Sequence, residues 1–213
     1  MSTAPRPLLL ATRSSGKLRE LGPMLRDAGF APVTLDALGI APLAEEESVE
    51  AFETFVENSL AKARYYFGRA RALGAAAPSL VLADDSGLEV QALGGAPGVR
   101  SKRYSGSALE GQALDDANNA KLMGALRGVS DRSARYLCVA AMKSESGEVH
   151  AMGECAGRML ESPRGAGGFG YDPYFYCDEL GKTFGEASRE EKERVSHRAR
   201  AVAAVLGRLR SSG

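Results

Sequence analysis

The chain of 213 residues has no excess of either charge, with 27 lysines and arginines against 27 aspartates and glutamates. A balanced chain creates no overall field toward nucleic acid or an anionic membrane, so any phosphate site must be built locally. Cysteine and histidine are scarce. Cys138, Cys155 and Cys177 lack the close spacing of a zinc site, and His150 and His197 are too scattered to complete one. Free buried thiols in a reducing compartment are therefore expected. Long apolar runs are missing as well. Near the start only Leu8 to Ala11 is continuously apolar, too short for a signal peptide, and nothing approaches the ~20 residues of a membrane span. A cytoplasmic protein with no nucleic-acid and no membrane partner is expected. No repeat, low-complexity tract or linker divides the chain, which reads as one domain over residues 1–213.

Strand and helix signals mix along the whole length. Leu8-Leu9-Leu10-Ala11 is apolar on both faces, as a buried strand must be. Thr12, Ser14 and Ser15 then offer caps for a helix with Leu18, Leu21, Leu25 and Ala28 on one face, which Pro23 is expected to kink. A second strand is predicted over 32–38. The acidic stretch Glu45-Glu46-Glu47 and Glu50 leads into a helix from about Thr54. Its apolar stripe, Leu60, Ala63, Phe67 and Ala70, places Lys62 and Arg69 on the opposite side. Strands are predicted over 79–85, 88–93, 134–143 and 149–160, and helices over 108–126 and 189–209. Such a mixture defines an α/β class with a mixed sheet.

Five segments could carry chemistry. Ala11 to Lys17 is a polar loop between a strand and a helix, where backbone N–H groups and a lysine suit phosphate. It is not a Walker A loop, because Ala11 stands where glycine is needed and Leu18 where serine or threonine is needed. In Asp84-Asp85-Ser86-Gly87 one carboxylate is available for a metal or a water and the other for a turn or hydrogen bond; the segment also suits a plain turn. The acidic segment around Glu47 and Glu50 could supply a Mg²⁺ ligand or be a solvated loop. Gly167 to Pro173 lets backbone approach a ligand beside an aromatic ring and a carboxylate. Lys192 and His197 sit five positions apart, about 140° around a helix, so serving one target requires the segment to bend.

In order along the chain these segments resemble one family. They are Thr12-x-x-x-x-Lys17, Glu57-Asn58-x-x-x-Lys62, Ala83-Asp-Asp-Ser-Gly87 with Gly94-Gly-Ala-Pro-Gly98, Gly168-Phe-Gly-Tyr-Asp-Pro173, and Glu191-Lys-x-x-x-Ser-His-Arg198. The match, over about 8–206, is to the noncanonical purine NTP pyrophosphatase (inosine triphosphate pyrophosphatase) family. The resemblance implies an elongated mixed β-sheet flanked by helices, in two lobes with the active-site cleft between them, usually as a homodimer. It implies hydrolysis of ITP, dITP or XTP to the monophosphate and pyrophosphate with Mg²⁺. Carried over, Thr12, Arg13, Ser14, Ser15, Gly16 and Lys17 cradle the triphosphate, with Lys62 assisting. Asp85 is implied as the catalytic carboxylate, Glu50 and Asp85 as metal ligands, and Ser86 as a substrate contact. Phe169, Gly170, Tyr171 and Asp172 are implied to receive the base, with Lys192, His197 and Arg198 closing over it. One departure stands out. The family loop normally reads Thr-Gly-Asn-x-x-Lys, whereas here Arg13 and Ser14 replace the glycine and asparagine.

Overall fold

The computed structural model describes residues 4–74 and 77–211, without the side chains of residues 47, 210 and 211. Its strands are β1 (Arg6–Leu10), β2 (Phe30–Thr34), β3 (Leu80–Val90), β4 (Ser133–Ser144), β5 (Gly147–Met159), β6 (Phe175–Cys177) and β7 (Lys182–Thr183). The helices are α1 (Ser15–Asp27), α2 (Glu46–Val49), α3 (Phe55–Arg71), α4 (Gly111–Ala125), α5 (Arg189–Val195) and α6 (His197–Ser211). The strands form one mixed seven-stranded sheet in the order β2-β1-β3-β4-β5-β6-β7. β1 pairs in parallel with β2 and β3, whereas β6 pairs antiparallel with β5 and β7. The α/β class expected from the sequence is the class observed. Among the described residues no helix is long and apolar enough to cross a membrane.

Contacts divide the chain into two compact units. The first holds Met1–Asp85, Val139–Met152 and Ala201–Gly213, and the second Ser86–Cys138 and Gly153–Arg200. The first has a core of Leu9, Ala11, Leu35, Ile40, Ala63, Tyr66, Ala70, Val81, Ala83 and Ala141. In the second, Tyr136, Phe175 and Phe184 pack at ring-centroid distances of 4.7 to 5.9 Å, among Leu88, Leu122, Met159 and Val195. Cys138, Cys155 and Cys177 are free and buried, as expected of thiols that behave as small hydrophobes.

Several boundaries differ from the sequence expectation. Helix α1 continues through Pro23 to Asp27. The second strand is Phe30–Thr34, earlier than predicted. Thr34 Oγ1 accepts from the Ala37 N–H and turns 36–38 into a short 3₁₀ helix. The two predicted strands 79–85 and 88–93 are one strand. β3 runs unbroken through Asp84-Asp85-Ser86-Gly87 because Leu80, Val81, Leu82, Ala83, Leu88 and Val90 are all buried, so this segment is not a turn. The single C-terminal helix is two helices, broken at an extended Ser196 (ψ 149°).

Candidate active site

In the first unit, β1 delivers the chain into the loop 12–17. Ser14 caps α1 by accepting from the Lys17 N–H at 3.4 Å, and Thr12 Oγ1 accepts from the Ser14 N–H at 3.2 Å. Thr12 and Gly16 are buried while Ser15 is exposed. The Lys17 ammonium reaches across to β3, 3.0 Å from Asp84 Oδ2, and donates to the Asp84 carbonyl at 3.2 Å. The Lys62 ammonium donates to the same carbonyl at 3.2 Å and pairs with the Glu50 carboxylate. Two lysines from different helices thus converge on one backbone oxygen.

Lys62 corrects the helical-wheel expectation. It is buried, on the same side of α3 as Asn58, Ser59 and Tyr66, because carboxylates compensate its charge inside. Burial alone would push its ammonium pKa down, but Glu50, Asp84 and Asp85 outweigh that and hold it above the ordinary lysine value. Asp85 shows the opposite balance. Burial raises its carboxyl above the usual range, and the repulsion of Glu50 adds to this against the pull of Lys17 and Lys62 and the Asn58 hydrogen bond. Glu50 and Asp85 are the two carboxylates that could hold Mg²⁺, which takes one or two carboxylates beside water and phosphate.

The sequence quoted Asn58 within a motif but gave it no job. Its amide donates to Asp85 Oδ2 at 3.0 Å and to the Phe52 carbonyl at 3.1 Å, and accepts from the Phe52 N–H at 2.9 Å. It holds Asp85 to the segment that follows Glu50. The available signal was spacing, since Asn58 precedes Lys62 by four positions on one helix face. Arg13, carried over as a phosphate contact, places its guanidinium on Glu46, as Nε–Oε2 and Nη2–Oε1 contacts of 2.9 Å each.

In the second unit, Asp172 is buried and its Oδ2 accepts from the Phe169 N–H at 2.8 Å and from the Lys192 ammonium at 2.6 Å. Gly168 has φ of +77°, and a Cβ there would meet Asp172 Oδ2 at 2.1 Å, so only glycine fits this turn. The partly exposed Phe169 ring has Lys192 Nζ 5.1 Å and the Arg198 guanidinium 5.8 Å from its centroid. Arg198 also donates to Ser86 Oγ at 2.7 Å. His197 is buried and stacks on Tyr136 at 4.6 Å. The break at Ser196 brings these residues together. Its hydroxyl accepts from the Ala199 N–H at 3.2 Å and starts α6 in a new direction, which supplies the bend that the Lys192–His197 spacing required.

The Tyr171 side chain is buried in the core and its hydroxyl donates to the Ser101 carbonyl at 2.8 Å. Two residues of α4 that the sequence did not flag hold the loop from behind. The Gly170 N–H donates to Asp115 Oδ2 at 2.8 Å, and Asn119 Nδ2 donates to the Gly170 carbonyl at 3.0 Å. Both sit on one helix face, four positions apart.

Residues 8–207 match the model of the Ham1 family. The chain is 47% identical over 196 residues to a dITP/XTP pyrophosphatase of Syntrophobacter fumaroxidans, covering 92% of this chain and 78% of that protein. It is 45% identical over 208 residues to a dITP/XTP pyrophosphatase of Ralstonia nicotianae, covering 96% and 97% of the two. The solved Staphylococcus aureus Ham1 protein superposes with a TM-score of 0.78 at 32% identity, covering 98% of this chain and 100% of that one. With nearly its whole length matched in sequence and in fold, the chain belongs to the Ham1 family.

Proposed function

We propose that this protein is a nucleoside triphosphate pyrophosphatase that hydrolyses ITP, dITP and XTP to the monophosphate and pyrophosphate, clearing deaminated purines from the nucleotide pool. The observation that carries the reading is the convergence of Lys17 and Lys62 on the Asp84 carbonyl beside the buried Asp85. A polyanion is attracted to two fixed ammonium groups, and a carboxylate raised by burial is a stronger base toward water than an ordinary aspartate. Loop 12–17 and Lys62 bind the triphosphate, and Asp85 orients the water that attacks the α-phosphorus and accepts its proton. Glu50 and Asp85 would hold Mg²⁺, whose chemistry there is to neutralise phosphate charge and stabilise the leaving pyrophosphate.

Base choice belongs to the second group. Hypoxanthine and xanthine present a 6-oxo acceptor and an N1–H donor, whereas adenine presents an amine and a bare N1. Around Phe169 and Asp172, the ammonium of Lys192 can donate and a carboxylate can accept, and a mismatched base leaves such buried groups unpaired. That mismatch can discriminate by about 10⁴-fold. The enzyme is further proposed to act in the cytoplasm as a homodimer, which light scattering of the purified protein tests.

The deciding experiment measures pyrophosphate release from ITP, XTP, GTP and ATP with and without EDTA. ITP and XTP should be hydrolysed far faster than ATP, and EDTA should stop the reaction. Equal rates for all four, or turnover indifferent to EDTA, refute the proposal.

A further inference from the structure

Arg13 occupies the position where the family loop normally has glycine, and an arginine in a phosphate loop would ordinarily be read as one more phosphate ligand. Its surroundings point elsewhere. The guanidinium makes a two-pronged contact with Glu46 at 2.9 Å on each prong, and Nη2 also donates to the Ile40 carbonyl at 2.9 Å. Its remaining nitrogen lies 3.5 Å from Asp36 Oδ1. On the other side Glu46 is 3.4 Å from Arg69 of α3, which also donates to the Ala41 carbonyl at 3.1 Å. The pair is largely withdrawn from solvent, with side-chain exposures of 28% for Arg13 and 15% for Glu46. A planar fork already matched to a carboxylate has given up the geometry with which it would grip a phosphate. The backbone pays nothing for the replacement, since no non-glycine residue among those described has a positive φ.

The position of the two partners gives the pair a task. Arg13 lies between Thr12 and the helix cap Ser14, inside the loop that ends in Lys17. Glu46 opens α2, and Glu50 follows directly on the end of that helix. We propose that Arg13 is a positioning residue that fastens the Thr12–Lys17 loop to the acidic segment carrying Glu50 through Glu46, and does not bind the triphosphate itself. Arg13 thereby replaces the freedom of a glycine with an external tether, and it fixes Lys17 and Glu50 relative to one another. This rests on reading loop 12–17 as the phosphate loop.

The test is a double-mutant cycle over Arg13→Ala, Glu46→Ala and the double variant. Binding of inorganic pyrophosphate with Mg²⁺ is followed by calorimetry and stability by urea denaturation. Each single variant should weaken pyrophosphate binding by the same factor, about threefold or more, and the double variant no further than either. Arg13→Lys, which keeps the charge but loses the fork, should fall with Arg13→Ala rather than with wild type. Arg13→Ala that weakens binding strongly while Glu46→Ala leaves it intact, or losses that multiply in the double variant, would make Arg13 a phosphate ligand and overturn the proposal. If the alanine variants do not fold, Arg13→Lys and Glu46→Gln complete the same cycle. Wild-type protein that binds no pyrophosphate, yet shows coupling between the two positions in urea, separates failure of the phosphate-loop reading from failure of the tether.

Discussion

Asp85 and Asn58 show how little of a side chain's role lies in its type. An aspartate within a strand is ordinary; one held by an amide, flanked by two lysines and raised by burial is poised for proton transfer. Replacing Asp85 with Asn keeps an acceptor for Asn58 and removes the burial cost of the charge. Asp85→Asn should therefore fold with a Tm at neutral pH no lower than wild type, while kcat falls by about 10² or more. A variant with near-normal turnover would remove Asp85 from the mechanism. Glu46 behaves in the opposite sense. The Arg13 hydrogen bonds hold its carboxyl below the usual glutamate range, so its contribution to stability is present above the unfolded value of about 4.3 and is lost as pH falls through the lower folded value. Glu46→Gln should be less stable than wild type at pH 7, with a gap that closes under acid in urea titrations at successive pH values. A constant gap from pH 7 to pH 3 would contradict the assignment.

Helix α5 is seven residues long, too short to stand by itself. It is fixed by a capping box in which Ser188 accepts from the Glu191 N–H at 3.2 Å and Glu191 accepts from the Ser188 N–H at 2.8 Å. Because α5 carries Lys192, loosening its start should disturb the Asp172 pairing. Ser188→Ala should cost about 1 kcal/mol of stability and raise KM for ITP more than it lowers kcat, which thermal melts and steady-state kinetics together check. The start of a helix near Thr54 and the long strand of 134–143 were legible in the sequence. The break at Ser196 was not. Val195, Ala199, Val202 and Leu206 continue one apolar stripe across it, and periodicity cannot register a single extended residue whose hydroxyl recaps the chain three positions on. The merged strand β3 was missed for a related reason. Asp, Ser and Gly are turn residues by local preference, and burial of the flanking apolar residues overrode that preference.

The balance of charge noted at the outset has a consequence for the entire protein. With 27 basic residues balanced by 27 acidic ones, the chain should not retard duplex DNA in a gel at about 0.15 M salt; a mobility shift there would show a basic surface that composition hides. The class of the fold, the family and the order of the motifs followed from the sequence, because hydrophobic periodicity and short strings such as Ala83-Asp-Asp-Ser-Gly87 are local properties that survive without coordinates. Which atoms meet could not follow from it. Lys62 lies opposite the apolar stripe of its helix and is nonetheless buried, the Tyr171 side chain is in the core, and the Arg13 guanidinium, expected at phosphate, grips Glu46. Each outcome depends on partners 12 to 70 positions away in the chain. The free energy of burying a charge or a hydroxyl is set by whether such a partner arrives, and that is decided by packing rather than by neighbours in sequence.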